Sequence, residues 1–445
     1  MKIILAFSLI FLTCGMLLAQ EQQERTRQVV PTDSTKSGYT SNVKVGNPTN
    51  KEVEMELNDY ALPNYRYDLK YSDFWFDWKK KLNEKARLQL SINYTGVYMG
   101  ATSKIAEENA QSAASGIFDM TLKWNVYKKD NNGNTGSIVF WTDWRHLYFG
   151  DVSPQFLFLE TGSGTMGATK FREFNFHVLE FYYHQTMFKN SWDVVIGKID
   201  LPDWFNFNGL AHPMLHFTDL AFSVSPTVGW SNPGFGVAAG GWLTKKKNFA
   251  LVLGVNDVAG VDLNNPGFME FGTDQFFRGN LLKMAELQYT PSRSKYYYNR
   301  IAATFWHSDE LTITDESYFQ TPSSKGFNIQ GTWVIEEKMV PTASFGLSDG
   351  DSGNSLSTVN VSLSNAWWFP NHDLFGVGIN YSSPSNWLED SYPGARAQFL
   401  SEVFYRWTWS KTTAITPLVK FVVNPSLDPS TDFMMYYGVR GRISI

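Results

Sequence analysis

The segment ARAQFLSEVFYRWTWSKTTAITPLVKFVVNPSLDPSTDFMMYYGVRGRISI, residues 395–445, decides the fold of this chain. In its last part, the apolar residues of one parity are Phe433, Met435, Tyr437, Val439, Ile443 and Ile445. The other parity holds Tyr436, Arg440 and Arg442. Because successive side chains of a β-strand point to opposite faces, this pattern predicts a strand with one apolar face. Residues 396–408 and 412–424, which are joined by a short turn and followed by a loop, are predicted to form two further strands.

The same two-residue period returns along most of the chain. It is clear in residues 88–98 and again in 118–126. Further strands are predicted near 136–148, 172–188, 191–200, 233–243, 247–258, 279–290, 295–307, 326–336, 340–348, 357–367, 373–383, 396–408, 412–424 and 432–445. No helical segment is predicted that could cover the apolar face of so many strands. A sheet that closes on itself in lipid explains the pattern, so residues 88–445 are predicted to form a transmembrane antiparallel β-barrel of about 16 strands.

The connections between these strands alternate in length. Every second one is short, as at 189–190, 244–246 and 410–411, whereas those between them are mostly long, as at 149–171 and 201–232. Outer-membrane barrels have short periplasmic turns and long extracellular loops. An even number of strands also places both ends of the barrel on the periplasmic side.

Composition and the amino-terminal residues indicate export. The chain is 43% hydrophobic, 16% aromatic and only 18% charged, and beyond residue 19 it lacks the uninterrupted apolar run of about 18 residues that a membrane helix needs. Residues 1–19 combine Lys2 with an apolar core and are predicted to be a signal peptide, cleaved before Gln20. Cleavage removes Cys14, the single cysteine, which excludes disulfides and thiol chemistry from the mature chain. A lipoprotein signal at Cys14 is the alternative, although Phe11 and Thr13 suit it poorly.

Two segments precede the barrel. Residues 20–64 are polar and are predicted to be a flexible periplasmic leader. Residues 65–87 place Phe74, Trp75, Trp78 and Leu82 at helical spacing among lysines and are predicted to be a short amphipathic helix. We expect this helix to pack under the barrel or across its mouth, with a lipid-surface anchor as the alternative.

Aromatic residues collect near strand ends, where an interface girdle explains most of them better than sugar stacking does. Examples are Trp141, Trp144 and Tyr148, Tyr297 and Tyr298, Trp367, Trp368 and Phe369, and Tyr405, Trp407 and Trp409.

Several short motifs, taken in order, resemble the carbohydrate-selective porin (OprB) family. They are Val178-Leu-Glu-Phe-Tyr-Tyr-His-Gln185, Val195-Ile-Gly-Lys-Ile-Asp200, Asn232-Pro233 with the Gly-Phe-Gly after it, Glu286-Leu-Gln-Tyr289, Asp373-Leu-Phe-Gly-Val-Gly378, and Glu402-Val-Phe-Tyr405 leading into Thr416-Pro-Leu-Val-Lys-Phe-Val-Val-Asn-Pro425. The stretch 78–100 is similar to the amino-terminal end of the family, so the likeness covers 78–445. It implies a sixteen-stranded outer-membrane barrel that admits sugars by passive diffusion, without cofactor or energy input. The terminal Ile445, where such strands commonly end in Phe, and Val419-Lys420 depart from the family pattern, the latter at a position that bears on substrate choice.

Strand parity assigns a set of polar residues to the barrel lumen. They are Asp143, Arg145, Glu180, Tyr182, His184, Glu286, Gln288, Arg300, Glu402, Arg406, Lys420, Arg440 and Arg442. Charges of both signs suit polyhydroxyl solutes, which offer donors and acceptors but no net charge. The alternative for each residue is an ion pair that only holds the wall. Lys198 shares the parity of its outward-facing neighbours and therefore lies above the lipid band, follows a bulge, or contradicts the strand phase there.

The segment 201–232 is too long for a plain surface loop and contains Asp203 and Trp204, both candidates for contact with a sugar. We expect it either to fold inward as a constriction or to cap the barrel from outside.

Other functions have weaker support. His212 and His216 have the spacing of metal ligands only on a helix, which Pro213 disfavours. The chain lacks the Gly-x-Ser-x-Gly motif, but an outer-membrane hydrolase could assemble a triad around His184 or His307. The run Lys245–Lys247 sits at a short turn and is a solvated charge cluster, not a nucleic-acid site. The sequence predicts no enzyme, metal or cofactor, and leaves open a general or anion-leaning porin, an adhesion barrel and self-association.

Overall fold

The first and last strands of the chain are hydrogen-bonded to each other, which closes the sheet. The computed structural model describes residues 66–67, 70–127, 134–189, 191–263, 266–291, 298–311, 322–336, 338–353, 355–369 and 372–444. In it, β1 (Leu88–Ala101) pairs antiparallel with β16 (Phe433–Ser444), and Val97 lies opposite Arg440. Every strand between them is hydrogen-bonded to its neighbours in sequence, giving one closed barrel in the described part of the chain. The prediction of a sixteen-stranded antiparallel barrel is confirmed.

The remaining strands follow the predicted positions closely. They are β2 (Ser112–Tyr127), β3 (Gly136–Phe149), β4 (Phe174–Met187), β5 (Trp192–Ile199), β6 (Gly234–Trp242), β7 (Phe249–Asp257), β8 (Leu281–Tyr289), β9 (Arg300–Ser308), β10 (Ser324–Thr332), β11 (Met339–Ser348), β12 (Ser357–Trp368), β13 (Leu374–Pro384), β14 (Gln398–Thr408) and β15 (Thr413–Val423). The largest difference is in β2, which begins six residues before the predicted Phe118, because the small residues that precede it show no contrast in hydropathy while their pairing with β1 continues to Ser112.

The two faces of the wall differ as the alternation predicted. Large apolar side chains are exposed on the outer face, as Phe305, Leu363 and Phe399 are. Polar side chains of the opposite parity, such as Thr95 and Asp119, are buried inside. An apolar outer surface with a polar interior is the arrangement that a barrel needs in order to sit in lipid.

Helices are few and short. They are α1 (Lys70–Ala86), α2 (Leu157–Thr161), a 3-10 helix (Leu201–Trp204), α3 (Leu220–Ser223), α4 (Asp274–Arg278) and α5 (Asn386–Ser391). In the described part of the chain, none is both long and apolar enough to cross a membrane. The signal peptide and the leader, residues 1–64, lie outside the described residues.

Helix α1 precedes the barrel and lies against its rim. Phe76 and Lys79 are buried, whereas Phe74 is exposed. An ion pair between Lys411, in the turn before β15, and Asp73 fixes the start of the helix. At the other end, Arg87 accepts a hydrogen bond from Asn125 N, 3.0 Å long, at the end of β2. The helix therefore lies along the end of the barrel, and its role there stays a prediction.

Lys198 faces outward, so the strand phase was correct, but it is not exposed to lipid. The register pairs it with Phe181 and Phe235. The segment 267–272 covers these neighbours, since Phe271 packs edge-on against Phe181 and Phe235 N donates to Gly272 O at 3.0 Å. That segment is attached to β4 by a 2.9 Å hydrogen bond from Val178 N to Phe268 O. Lys198 is fully buried and its Nζ lies 2.8 Å from His177 Nε2. A covering loop, not a break in alternation, accommodates the charge.

Candidate constriction inside the barrel

Residues 201–232, named here the inward loop, fold into the barrel and not over it. The loop residues Leu201, Trp204, Phe205, Leu210 and Phe217 are all fully buried. They are covered by lumen-facing residues of opposite walls, since Phe205 packs with β7 and β8 and Phe217 packs edge-on against Phe404 of β14, with ring centroids 4.9 Å apart. The structure thus distinguishes between the two placements that the sequence left open.

One carboxylate of the wall anchors the beginning of the inward loop. Glu286 of β8 accepts hydrogen bonds from Asn206 N at 2.6 Å and from Thr304 Oγ1 at 2.6 Å. It is also paired with Arg300 of β9 at 2.5 Å. The Arg300 guanidinium lies over the ring of Phe207, 3.9 Å from its centroid. Because Asn206 has a left-handed backbone with φ of 49°, this anchor holds a turn that the chain would not readily adopt by itself.

A second carboxylate anchors the far end of the same loop. Glu402 of β14 accepts hydrogen bonds from Thr218 N at 2.7 Å, Thr218 Oγ1 at 3.0 Å and Asp219 N at 3.0 Å. Lys420 of β15 lies 3.5 Å from Glu402 and 3.1 Å from Asp219. All three charged groups are buried, so each relies on the others to offset the loss of hydration.

The last strand holds the middle of the loop through its arginines. Arg440 Nη1 donates to the carbonyl oxygens of Pro213 and, at 2.9 Å, of His216. Arg442 Nη1 lies 3.5 Å from Met214 Sδ. With contacts on β8, β14 and β16, the inward loop crosses the lumen from one wall to the other.

A cavity of about 170 Å³ remains between the inward loop and the wall formed by β3, β4 and the connection between them. Its charged lining consists of Arg145, Lys170, Arg172, Asp200 and Asp203. Its aromatic lining consists of Trp141, Phe207 and Trp230. This is the candidate constriction of the barrel.

The charged residues of the constriction are joined in a chain of contacts. Arg145 is paired with Asp143 through Nη2 at 2.7 Å and donates from Nη1 to Lys170 O at 2.8 Å. The Lys170 ammonium lies 3.1 Å from Asp203 and over Trp141, 5.0 Å from the ring centroid. Each positive group is thereby held at a fixed place beside the cavity.

Burial and neighbouring charges alter the protonation of the groups that belong to connections. Burial acts to lower the pKa of Lys170, but the attraction of Asp203 and Asp200 outweighs it and raises that pKa. Burial raises the pKa of Asp200 to about 8, with repulsion by Asp203 adding to the rise and Lys170 and Arg145 opposing it. Burial, assisted by Arg145, lowers the pKa of Arg172 to about 10. At neutral pH the carboxyl of Asp200 is therefore mostly protonated, while Lys170 and Arg172 remain cations.

The lumen residues predicted from sequence fall into two groups. Arg145 and Asp203 line the cavity, and Asp143 stands behind Arg145. The others face the interior but serve the wall or the inward loop; they are Glu180, Tyr182, His184, Glu286, Gln288, Arg300, Glu402, Arg406, Lys420, Arg440 and Arg442. Trp204 is fully buried and packs edge-on against Tyr182, with ring centroids 5.3 Å apart. Contact of any of these residues with a solute stays a prediction.

Four lining residues were missed by the parity analysis or assigned elsewhere. Lys170, Arg172 and Asp200 lie in connections between strands, where no period exists to assign a face. Trp141 was placed in the interface girdle, which is wrong: it is buried, its register partner is Glu180, and it lines the cavity. Its parity is that of Asp143, so the strand phase would have found it.

The structure shows the neighbours of His184 and His307, the two histidines considered for a catalytic triad. His184 Nε2 lies 3.1 Å from Asp193 in the wall. His307 Nε2 lies 3.4 Å from Ser323 Oγ, and its Nδ1 lies 3.3 Å from Asp309 Oδ1 without forming a hydrogen bond. The same Asp309 oxygen accepts a hydrogen bond from Lys283 Nζ at 2.7 Å. Among the described residues no group of three or more metal-ligating side chains is found.

Comparison with known proteins supports the fold. No family model and no curated protein matches the chain. Among solved structures, the high-pH form of Pseudomonas putida OprB matches with a TM-score of 0.63 and 12% identity, covering 83% of this chain and 97% of that one. The low-pH form of the same protein and a mutant porin of Rh. blastica match with TM-scores of 0.45 and 0.46, too low to define a common fold. The resemblance noted in the sequence is thus confirmed at the level of the fold.

Proposed function

We propose that the protein is an outer-membrane porin through which small neutral carbohydrates diffuse passively. The observation that carries the proposal is the constriction itself, a cavity inside a closed barrel that is lined by fixed charges of both signs and by aromatic rings. A solute that enters such a space loses part of its hydration and must find replacement hydrogen bonds. Sugars have hydroxyl groups for Arg145, Lys170 and Asp203, and apolar ring faces for Trp141 and Trp230.

The location in the outer membrane rests on the wall. The exposed apolar side chains on the outside of the strands require a lipid environment, and closed barrels with short turns at one end are the form that such proteins take there. Membrane lipid and small solutes are therefore the partners that this proposal requires.

One observation favours an anion-leaning porin as the second candidate. Arg440, which lies on the same inward face as Arg442, is buried, and its Nε and Nη2 atoms have no hydrogen-bond partner in the described residues. Its charge also interacts with that of Arg406. A lumen wall with three guanidinium groups would attract anions.

Liposome swelling distinguishes these candidates. With the purified protein in vesicles, glucose is expected to permeate several-fold faster than gluconate, which has nearly the same size but carries a carboxylate. Faster permeation of gluconate would instead support the anion-leaning porin, and equal rates a general porin.

The charge of the constriction is tested by Arg145→Ala in the same vesicles. Loss of this cation is expected to raise the ratio of glucosamine to gluconate permeation, because Asp143 and Asp203 are then balanced by fewer positive charges. The matched control is Arg278→Ala on α4, whose side chain is exposed and does not line the cavity; it is expected to leave the ratio unchanged.

A further inference from the structure

Asp200 differs from the other charged residues of the constriction in having no partner for its carboxyl group. Its backbone N–H donates to Glu180 Oε1 at 3.2 Å, which fixes the main chain at the end of β5. Its side chain lines the cavity and, within the described part of the chain, makes no hydrogen bond or ion pair. The nearby cations are already engaged, Lys170 by Asp203 and Arg145 by Asp143.

We propose that Asp200 is a proton-controlled selectivity residue of the constriction, a proposal that rests on the porin function above. In its protonated form it offers a hydrogen-bond donor to solute hydroxyl groups. In its ionised form it adds one negative charge beside the path of the solute and shifts the preference of the pore toward cations.

Burial and neighbouring charges bring the charge change of Asp200 close to neutral pH. The charged and titratable groups around it, from every element that borders the cavity, are Asp203, Lys170, Arg172, Arg145, Glu180 and His212. Lys170 and Arg172 titrate at higher pH, the latter at about 10. Burial and the repulsion of Asp203 raise the pKa of Asp200 to about 8. Its carboxyl is therefore neutral below that pH and ionised above it.

The size of the effect follows from Coulomb's law. A unit charge about 4 Å from a passing ion changes the energy of that ion, even at the dielectric constant of water, by an amount equivalent to a roughly fivefold change in permeability. Because the ionised carboxylate favours K⁺ and disfavours Cl⁻ by about fivefold each, the ratio of K⁺ to Cl⁻ permeability is expected to rise about 25-fold when Asp200 ionises, with its midpoint at about pH 8.

Reversal potentials in a planar bilayer under a KCl gradient, measured from pH 6 to pH 10 (roughly two units either side of the expected midpoint), test the proposal. The wild type is expected to show the rise, and Asp200→Asn, which keeps the shape of the side chain but cannot ionise, is expected to lose it. Asp390→Asn, an exposed carboxyl on α5 that does not line the cavity, is the matched control and is expected to keep it.

The outcomes separate this inference from the function on which it rests. A flat ratio in the wild type, or the same rise in Asp200→Asn, overturns the role of Asp200, while glucose permeation in the same preparation leaves the porin function standing. Absence of any ion or glucose permeation in the wild type overturns both.

Discussion

Replacing Glu402 by alanine is expected to enlarge the pore, because this carboxylate holds the far end of the inward loop. The variant removes the acceptor of hydrogen bonds from Thr218 N, Thr218 Oγ1 and Asp219 N. It also removes one of the two carboxylates that lie beside the Lys420 ammonium, so that Asp219 remains as the other. A loop freed at this end exposes more of the wide lumen of a sixteen-stranded barrel, so single-channel conductance is expected to rise roughly twofold or more, and permeation of a disaccharide is expected to rise relative to that of glucose.

The matched control for this variant is Glu389→Ala, an exposed glutamate of α5. It is expected to leave conductance and size exclusion at wild-type values. Unchanged conductance in a folded Glu402→Ala barrel would contradict the idea that this contact determines the width of the pore.

The second large effect is a loss of stability, expected when the Glu286–Arg300 pair at the beginning of the inward loop is broken. Arg300→Ala leaves Glu286 buried without its ion-pair partner and removes the guanidinium over Phe207. Breaking a buried pair from one side costs about 3–5 kcal/mol of unfolding free energy. Urea unfolding of the barrel in detergent or lipid measures that loss directly.

A double replacement distinguishes the contribution of the ion pair from the cost of leaving one buried charge without its partner. Glu286→Leu with Arg300→Leu removes both charges at once, and its cost is expected to be well below that of Arg300→Ala, because no isolated charge remains in the wall. If the double variant is as unstable as the single one, the pair contributes through packing of the inward loop and not through charge.

The fold could be predicted because a barrel wall repeats one rule at every strand. Alternation identified sixteen strands and the inward side of residues as distant in sequence as Arg145 and Lys420. Lys198 follows the same rule, because its side chain faces outward as its parity predicted. The sequence did not predict that the segment 267–272 would bury it. That cover depends on a contact between elements distant in sequence, which no local pattern records.

The constriction could be predicted only in part, for a physical reason. Lys170 and Asp200 lie in connections, where side-chain direction is set by tertiary contacts and not by a period. Trp204 was chosen for its aromatic face, yet it is used to pack the inward loop against Tyr182. Sequence shows which residues could bind a sugar, whereas burial decides which of them can reach one.

Single-channel recording of the wild-type protein in a planar lipid bilayer tests the central claim most directly. The claim is that a solute path remains beside the inward loop, through the cavity lined by Arg145, Lys170 and Asp203. Discrete, stable conductance steps of one size are expected, smaller than those of Glu402→Ala. A folded, inserted barrel that shows no conductance would mean that the inward loop seals the lumen, and would contradict the account.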